Sequence, residues 1–207
     1  MNPRQGEAAD TVARTTRRRA ETRQRLLDAA FSVFASKGFG RTRIDDVCQE
    51  SGYTKGAFYS NFDSLDELFL TLYRQHSQQG AQHTLNILAT APVRSVEQMI
   101  KQWAEHLPIN RDWLLINTDF ILYAARHPAV QSDLAAERTR IREDFAVILA
   151  DHIAEHVHDL PPSLPTPPEL ARALITVYDG VLAQLVLDMD EQTVRRHFIA
   201  VATALLH

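Results

Sequence analysis

The residues best placed to do chemistry in this chain form one short run, Thr54-Lys55-Gly56-Ala57-Phe58-Tyr59-Ser60-Asn61-Phe62. Coiled into a helix, the run sets Phe58 and Phe62 on one face, bordered by Thr54, Lys55, Gly56, Ala57, Ser60 and Asn61 on the other. The aromatic face can dock on a neighbouring helix while the small, polar face enters the major groove of DNA. Gly56 lowers helix propensity by about 1 kcal/mol against alanine. Close approach of the backbone to DNA accounts for that cost; relief of crowding at a helix junction is the other account. Just upstream, Ile44, Val47 and Cys48 give a second short helix its inner stripe, and Ser51-Gly52-Tyr53-Thr54 joins the two with the turn chemistry of a helix-turn-helix.

Other chemistries lack their residues. There is no G-x-S-x-G elbow, H-E-x-x-H pair or two-metal carboxylate pattern, so the sequence predicts no enzyme. Only seven glycines occur, and none makes a phosphate-cradling loop. His152, His156 and His158 suggest a metal, but zinc needs a third or fourth ligand and Glu155 points off that face. No metal and no cofactor are expected. The lone cysteine, Cys48, reads as a small hydrophobe rather than an exposed, acidic redox thiol, and it suits a reducing cytoplasm. No apolar run approaches the roughly 20 residues of a membrane span.

The elements that must position the run are helices. The 207 residues are 45% hydrophobic, enough for a buried core, and alternating strand patterns are nearly absent. The expectation is an all-α fold of about nine helices. Residues 1–13 are polar and lack periodicity, which predicts disorder, followed by the basic lead Arg14, Arg17, Arg18 and Arg19. A first helix carries Leu26, Ala29, Ala30, Val33 and Phe34 and stops at Lys37-Gly38. Thr42, with Asp45 at the third turn position, Thr54, Ser64 with Glu67, and Ser95 with Gln98 read as helix starts; Pro92 and Pro108 read as stops. Residues 111–126 are apolar nearly all round, a long helix follows Pro128, and five prolines between 161 and 168 mark a connector before two last helices.

Charge divides along the same line. Residues 1–62 hold 11 Lys/Arg against 7 Asp/Glu, and residues 63–207 hold 11 against 19. A basic first third joined to an acidic remainder suggests one module that meets a polyanion and another that does not. The boundaries drawn are a flexible basic arm at 1–18, a DNA-binding domain at 19–66 and a ligand-binding and dimerisation domain at 67–207.

The stretch from Gly38 to Phe62, and above all Thr54 to Phe62 with its Tyr-x-x-Phe ending, closely resembles the DNA-binding domain of the TetR (tetracycline-repressor-like) family. The resemblance covers roughly residues 20–70. It implies a cytoplasmic homodimeric regulator, a repressor of a palindromic double-stranded DNA operator, released when a small, largely apolar molecule enters the second domain. An architectural or co-regulator protein without an effector is the alternative. Carried over by position, Thr42 and Arg43 lie near phosphates, Thr54, Lys55, Gly56, Ala57 and Tyr59 meet base edges and backbone, and Ser60 and Asn61 contact phosphates. Where the family usually has a lysine this chain has Leu65; Arg41, Arg43 and the arginines before residue 20 are candidates to compensate.

For the second half the expected cavity residues are Tyr73, Trp103, Trp113, Asn117, Phe120, Tyr123, Phe145, Tyr178 and Gln184, with Asp119 a further polar candidate. The apolar stripes of the last two helices, Leu174, Val177, Val181 and Leu185 with Val194, Phe198, Val201 and Leu205, are the expected dimer interface. Small Ala173, Gly180, Ala183, Ala200, Ala202 and Ala204 would permit close approach. The helix over 65–89 is the expected link between cavity and motif.

Overall fold

The computed structural model describes residues 3–90, 95–106, 109–156, 160–187 and 190–206, with side chains from Thr16 onward. Pro92, Pro108, His158 and the side chain of His156 lie outside the described residues. Among the described residues the chain is all-α: α1 (Pro3–Lys37), a 3-10 turn at Phe39–Arg41, α2 (Ile44–Ser51), α3 (Lys55–Tyr59), α4 (Leu65–Thr90), α5 (Val96–His106), α6 (Arg111–Ala124), α7 (Pro128–His156), α8 (Pro167–Leu187) and α9 (Glu191–Ala204).

Local chemistry fixes most of the ends. The Thr54 hydroxyl accepts from Ala57 N at 3.2 Å, Asn110 Oδ1 from Trp113 N at 2.9 Å and Asp190 Oδ1 from Thr193 N at 2.9 Å, each satisfying an orphan donor of a first turn. At α4 the cap is reciprocal: Ser64 Oγ accepts from Glu67 N, and Glu67 reaches back to Asp63 N. Two helix starts depart from expectation. The α1 backbone is helical from Pro3 rather than disordered over 1–13, because Pro3 suits a first helical position and strong helix formers such as Ala8, Ala9 and Ala13 follow. At α2 the N-cap is Arg43, not Thr42, and Asp46 rather than Asp45 accepts from its N–H at 2.9 Å.

Two apolar cores result, and they do not part at residue 66. The first gathers Leu26, Ala30 and Phe34 of α1, Val47 and Cys48 of α2, Phe58 and Phe62 around α3, Leu68 and Phe69 of α4, and Ile116 and Phe120 of α6. The second gathers α5, α8, α9 and the later part of α7 around Ile100, Leu149, Leu174 and Phe198. Helix α6 touches both: Trp113, Ile116 and Phe120 join the first core, and Leu114 joins the second. By length and composition α8 could cross a membrane, contrary to the expectation that no apolar stretch comes close, because Arg172 and Asp179 interrupt the run without making it polar on average. It packs against α7 and α9, with Leu170, Ala171, Leu174, Val181 and Leu182 buried.

Candidate nucleic-acid interface and cavity

Helix α3 is only five residues long, so it cannot hold itself in place. Phe58, fully buried, pins it to the first core from one side. Opposite, Thr54, Lys55, Gly56, Tyr59 and Ser60 are exposed, Tyr59 to 55%, and Ala57 is half-buried. A side chain at Gly56 would meet nothing closer than Thr54 Oγ1 at 3.7 Å, so relief of crowding inside the protein does not explain this glycine. Lys55 Nζ pairs with the exposed Asp45 at 2.8 Å, and that bond holds the ammonium pKa above the usual lysine value. Lys37 in the same way pairs with Asp46 at 2.6 Å and lowers the carboxyl pKa.

The C-terminal end of α3 is held from α1. Arg23 Nη1 donates to the Asn61 carbonyl at 2.5 Å, its Nη2 to Thr71 Oγ1 at 3.2 Å, and its guanidinium lies 4.1 Å from the Phe62 ring centre. Arg19 Nη2 donates to the Ser60 carbonyl at 3.2 Å. Cations at the last carbonyls complement the helix dipole. Arg23 was invisible in the sequence as a site residue, because its partner lies 38 residues away. Of the basic lead, Arg17 pairs with Glu21 within α1.

Two expected phosphate contacts turn inward. Thr42 is buried and its hydroxyl donates to the Gly38 carbonyl at 2.8 Å, closing the turn after α1. Asn61 is buried as well, its Nδ2 donating to the Ala57 carbonyl at 2.8 Å. Short polar side chains next to helix ends satisfy local backbone first. Arg43 stays exposed. Leu65 is half-buried against the first core, which explains an apolar residue at that position. Cys48 is buried and burial pushes its thiol pKa up, the opposite of an activated thiol.

The turn that follows α1 is gripped by α6. Gly38 takes φ +80°, Phe39 inserts among Phe34, Phe69, Phe120 and Tyr123, and Gly40 N donates to Asp119 Oδ2 at 3.3 Å. Phe120 stacks on Phe69, and the Tyr123 hydroxyl bonds to Asp66 at the start of α4. Phe120, Tyr123 and Asp119 therefore face the motif rather than a cavity.

The opposite side of α6 faces a cavity of about 290 Å³ between α4, α5, α6, α7 and α8. Tyr73, Trp103, Trp113, Asn117, Phe145 and Tyr178 line it as expected; Gln184 does not, because it sits off the cavity side of α8. His76, Arg138 and Asp179 line it too, and no motif pointed to them. His76 stacks on Trp113 with ring centres 4.0 Å apart, and burial pushes its imidazole down to about 4. Arg138 Nη2 bonds to Asp179 Oδ2 at 2.5 Å. Among the described residues no three His, Cys, Asp or Glu come together as metal ligands.

Residues 26–72 match the family model described as bacterial regulatory proteins, tetR family. Over that segment the chain is similar to the TetR family. Over 100 residues it is 29% identical to the HTH-type transcriptional regulator YerO of Bacillus subtilis, covering 46% of this chain and 35% of that protein. Over 119 residues it is 26% identical to the probable acrEF/envCD operon repressor of Escherichia coli K12, covering 56% and 48%. The chain thus spans between about a third and a half of these curated relatives. A TetR-family structure from Mesorhizobium loti superposes with a TM-score of 0.69 at 18% identity, covering 91% of this chain and 96% of that one, which extends the TetR fold over α4 to α9.

Within this TetR fold the apolar stripes of α8 and α9 point inward. Leu174, Val181, Val194 and Phe198 are buried in the chain's own second core, and Val177 and Leu185 pack against it. Val201 and Leu205 are exposed. The exposed residues include Arg172, Thr176, Gly180 and Leu187 on α8, and Arg196, His197, Ala200, Val201, Ala204 and Leu205 on α9. Ala202 is buried and Ala173 half-buried.

Proposed function

We propose that this chain is a cytoplasmic transcriptional repressor that binds a palindromic operator as a homodimer and leaves it when a small molecule enters the cavity. The observation that carries the reading is the outer face of α3. Gly56 is an exposed helical glycine that no protein atom crowds, flanked by exposed Lys55 and Tyr59. Its cost in helix propensity, about 1 kcal/mol, is accounted for by a surface that the backbone must meet closely. In this reading Thr54, Lys55, Gly56, Ala57 and Tyr59 meet base edges and backbone, while Arg43 and Ser60 lie near phosphates.

Dimerisation uses the exposed residues of α8 and α9, among which Gly180, Ala200 and Ala204 allow four helices to approach across a two-fold axis. Two α3 helices then fall about one turn of DNA apart, ~34–36 Å. A ligand shifts the population off DNA only by its differential affinity for the two arrangements. Helix α4 remains one connection from cavity to motif. Helix α6 is the second, since Trp113, Asn117 and Ile121 face the cavity while Asp119, Phe120 and Tyr123 hold the turn before α2.

The test is to pass fragmented genomic DNA over the purified protein at moderate salt and sequence what is retained. An enriched palindrome supports the dimeric repressor, and its flanking genes suggest the first effectors to try. Uniform recovery that vanishes as salt rises returns a non-specific, architectural role.

A further inference from the structure

The cavity has a chemical character of its own. Trp103, Trp113, Tyr73 and Tyr178 are all on its lining, aromatic surface that favours a ring as the apolar part of an occupant. Fixed charge on the lining is predominantly positive: the guanidinium groups of Arg74, Arg138, Arg140 and Arg142 stand against the carboxylates of Asp144 and Asp179. Glu137, behind the wall, is shared by Arg74 and Arg140 and so answers only one of those two charges.

Hydrogen-bonding capacity is equally uneven. A guanidinium has five N–H donors. Arg138 places one on Asp179 at 2.5 Å and another towards the Tyr73 hydroxyl at 3.4 Å. That hydroxyl accepts from Arg138 and keeps its own proton for a further acceptor. On α6, Asn117 Oδ1 is sealed from solvent with no partner among the described residues, an acceptor awaiting a donor.

We infer that this cavity takes small aromatic carboxylic acids that also carry a hydroxyl or N–H group. The inference rests on reading the cavity as the effector site. The ring lies against the aromatic lining, the carboxylate takes Arg138 and the Tyr73 hydroxyl, and the second group donates to Asn117 Oδ1. The carboxylate takes N–H donors of Arg138 that Asp179 and Tyr73 leave free, so the half-buried guanidinium stays paired with Asp179 while it receives the acid. An amine in the same place would set a second cation beside Arg138.

The experiment titrates the full-length protein with para-hydroxyphenylpropionate, its amide, and the corresponding para-hydroxyphenylpropylamine. The chain's only two tryptophans both line the cavity, so fluorescence excited on the red edge of the indole band reports occupancy, with calorimetry alongside. The acid is expected to bind about tenfold or more tighter than the amide, and the amine weakest, as the loss of a charge-assisted hydrogen bond implies. Arg138→Gln is expected to erase the preference for the acid while amide binding persists. An amide or amine that matches the acid in the unaltered protein, or an undiminished acid preference in Arg138→Gln, overturns the assignment. Silence from all three probes in the unaltered protein instead removes the effector-site reading beneath it. If Arg138→Gln binds no probe, Asn117→Ala decides: it must weaken the hydroxylated acid and spare phenylpropionate, and equal loss for both overturns the assignment.

Discussion

Replacing Arg23 with alanine removes the clamp on the C-terminal end of α3 without touching any outward-facing residue of that helix. The bond to the Asn61 carbonyl, 2.5 Å long and donated by a cation, is worth about 1.5–3 kcal/mol. The contact with the Phe62 ring at 4.1 Å adds about 0.5–1 kcal/mol, and the bond to Thr71 about as much again. Because one side chain makes all three, they do not simply add, and the expected loss in unfolding free energy is about 2–4 kcal/mol. Urea denaturation measures that loss. Fluorescence anisotropy on the retained operator measures the functional effect, expected to be a fall in affinity of about tenfold or more as the short helix loses its fixed orientation. The slope of log affinity against log salt is expected to stay put, because Arg23 meets protein carbonyls and not phosphates. Arg23→Lys keeps the charge but cannot bridge Asn61 and Thr71 in the same way, and should fall between the two. Unchanged stability together with unchanged affinity would refute the clamp. A salt slope lowered by about one would refute it differently, making Arg23 a phosphate contact.

Lys55→Ala should weaken operator binding, and Tyr59→Phe should weaken binding with the dimer intact; wild-type affinity in both at physiological salt removes α3 as the reading element. Gly38→Ala places a residue at φ +80°, which costs about 1–3 kcal/mol, and sets its Cβ 2.9 Å from Asp119 Oδ2. Adding Asp119→Ala should recover the clash but not the strain, and a denaturation cycle showing no coupling would rule the clash out. His76 is held at about 4 against 6.5 in a free chain, so below pH 6.5 the unfolded chain binds a proton that the folded one refuses. Stability should therefore fall as pH drops from about 6.5 to about 4, by up to ~3 kcal/mol, and His76→Phe should flatten that limb in calorimetric melts. Gly180→Glu and Val201→Glu put charge on the outward faces of α8 and α9; sedimentation should show monomers, and an intact dimer would place the interface elsewhere.

The helices were legible where local chemistry decides them. Thr54, Ser64 and Ser95 each cap the helix that follows, and Pro128 opens α7, because side-chain oxygens and proline rings act within a few residues of themselves. The helix-turn-helix was legible for the same reason. What the periodicity of α8 and α9 could not reveal is what covers an apolar stripe: Leu174 and Phe198 are covered by the chain's own core, and Gly180, Ala200 and Ala204 lie among the exposed residues instead. In α6, apolar on nearly every side, two different surfaces compete for the aromatic rings, and sequence alone did not separate Trp113 from Phe120 and Tyr123. Thr42 and Asn61 have the right chemistry for phosphate but spend it on nearby carbonyls. Arg23 and Arg138 find partners 38 and 41 residues away, beyond any local pattern.

The ion pair between Lys55 and Asp45 bears on how such a protein searches a genome. In free solution the most outward cation of α3 already has a neighbour of opposite sign on α2. A random phosphate offers Lys55 little that Asp45 does not, so a chance encounter with bulk DNA exchanges one anion for another at nearly equal free energy. On the proposed reading of α3, dwell times on the wrong sequence would be shortened accordingly, and more of the residence on the right one would come from the Gly56 backbone and the Tyr59 ring, contacts that depend on fit rather than on charge. On that reading the resting pair would be a mild brake on indiscriminate adhesion, leaving the chain quicker to let go wherever the groove does not match.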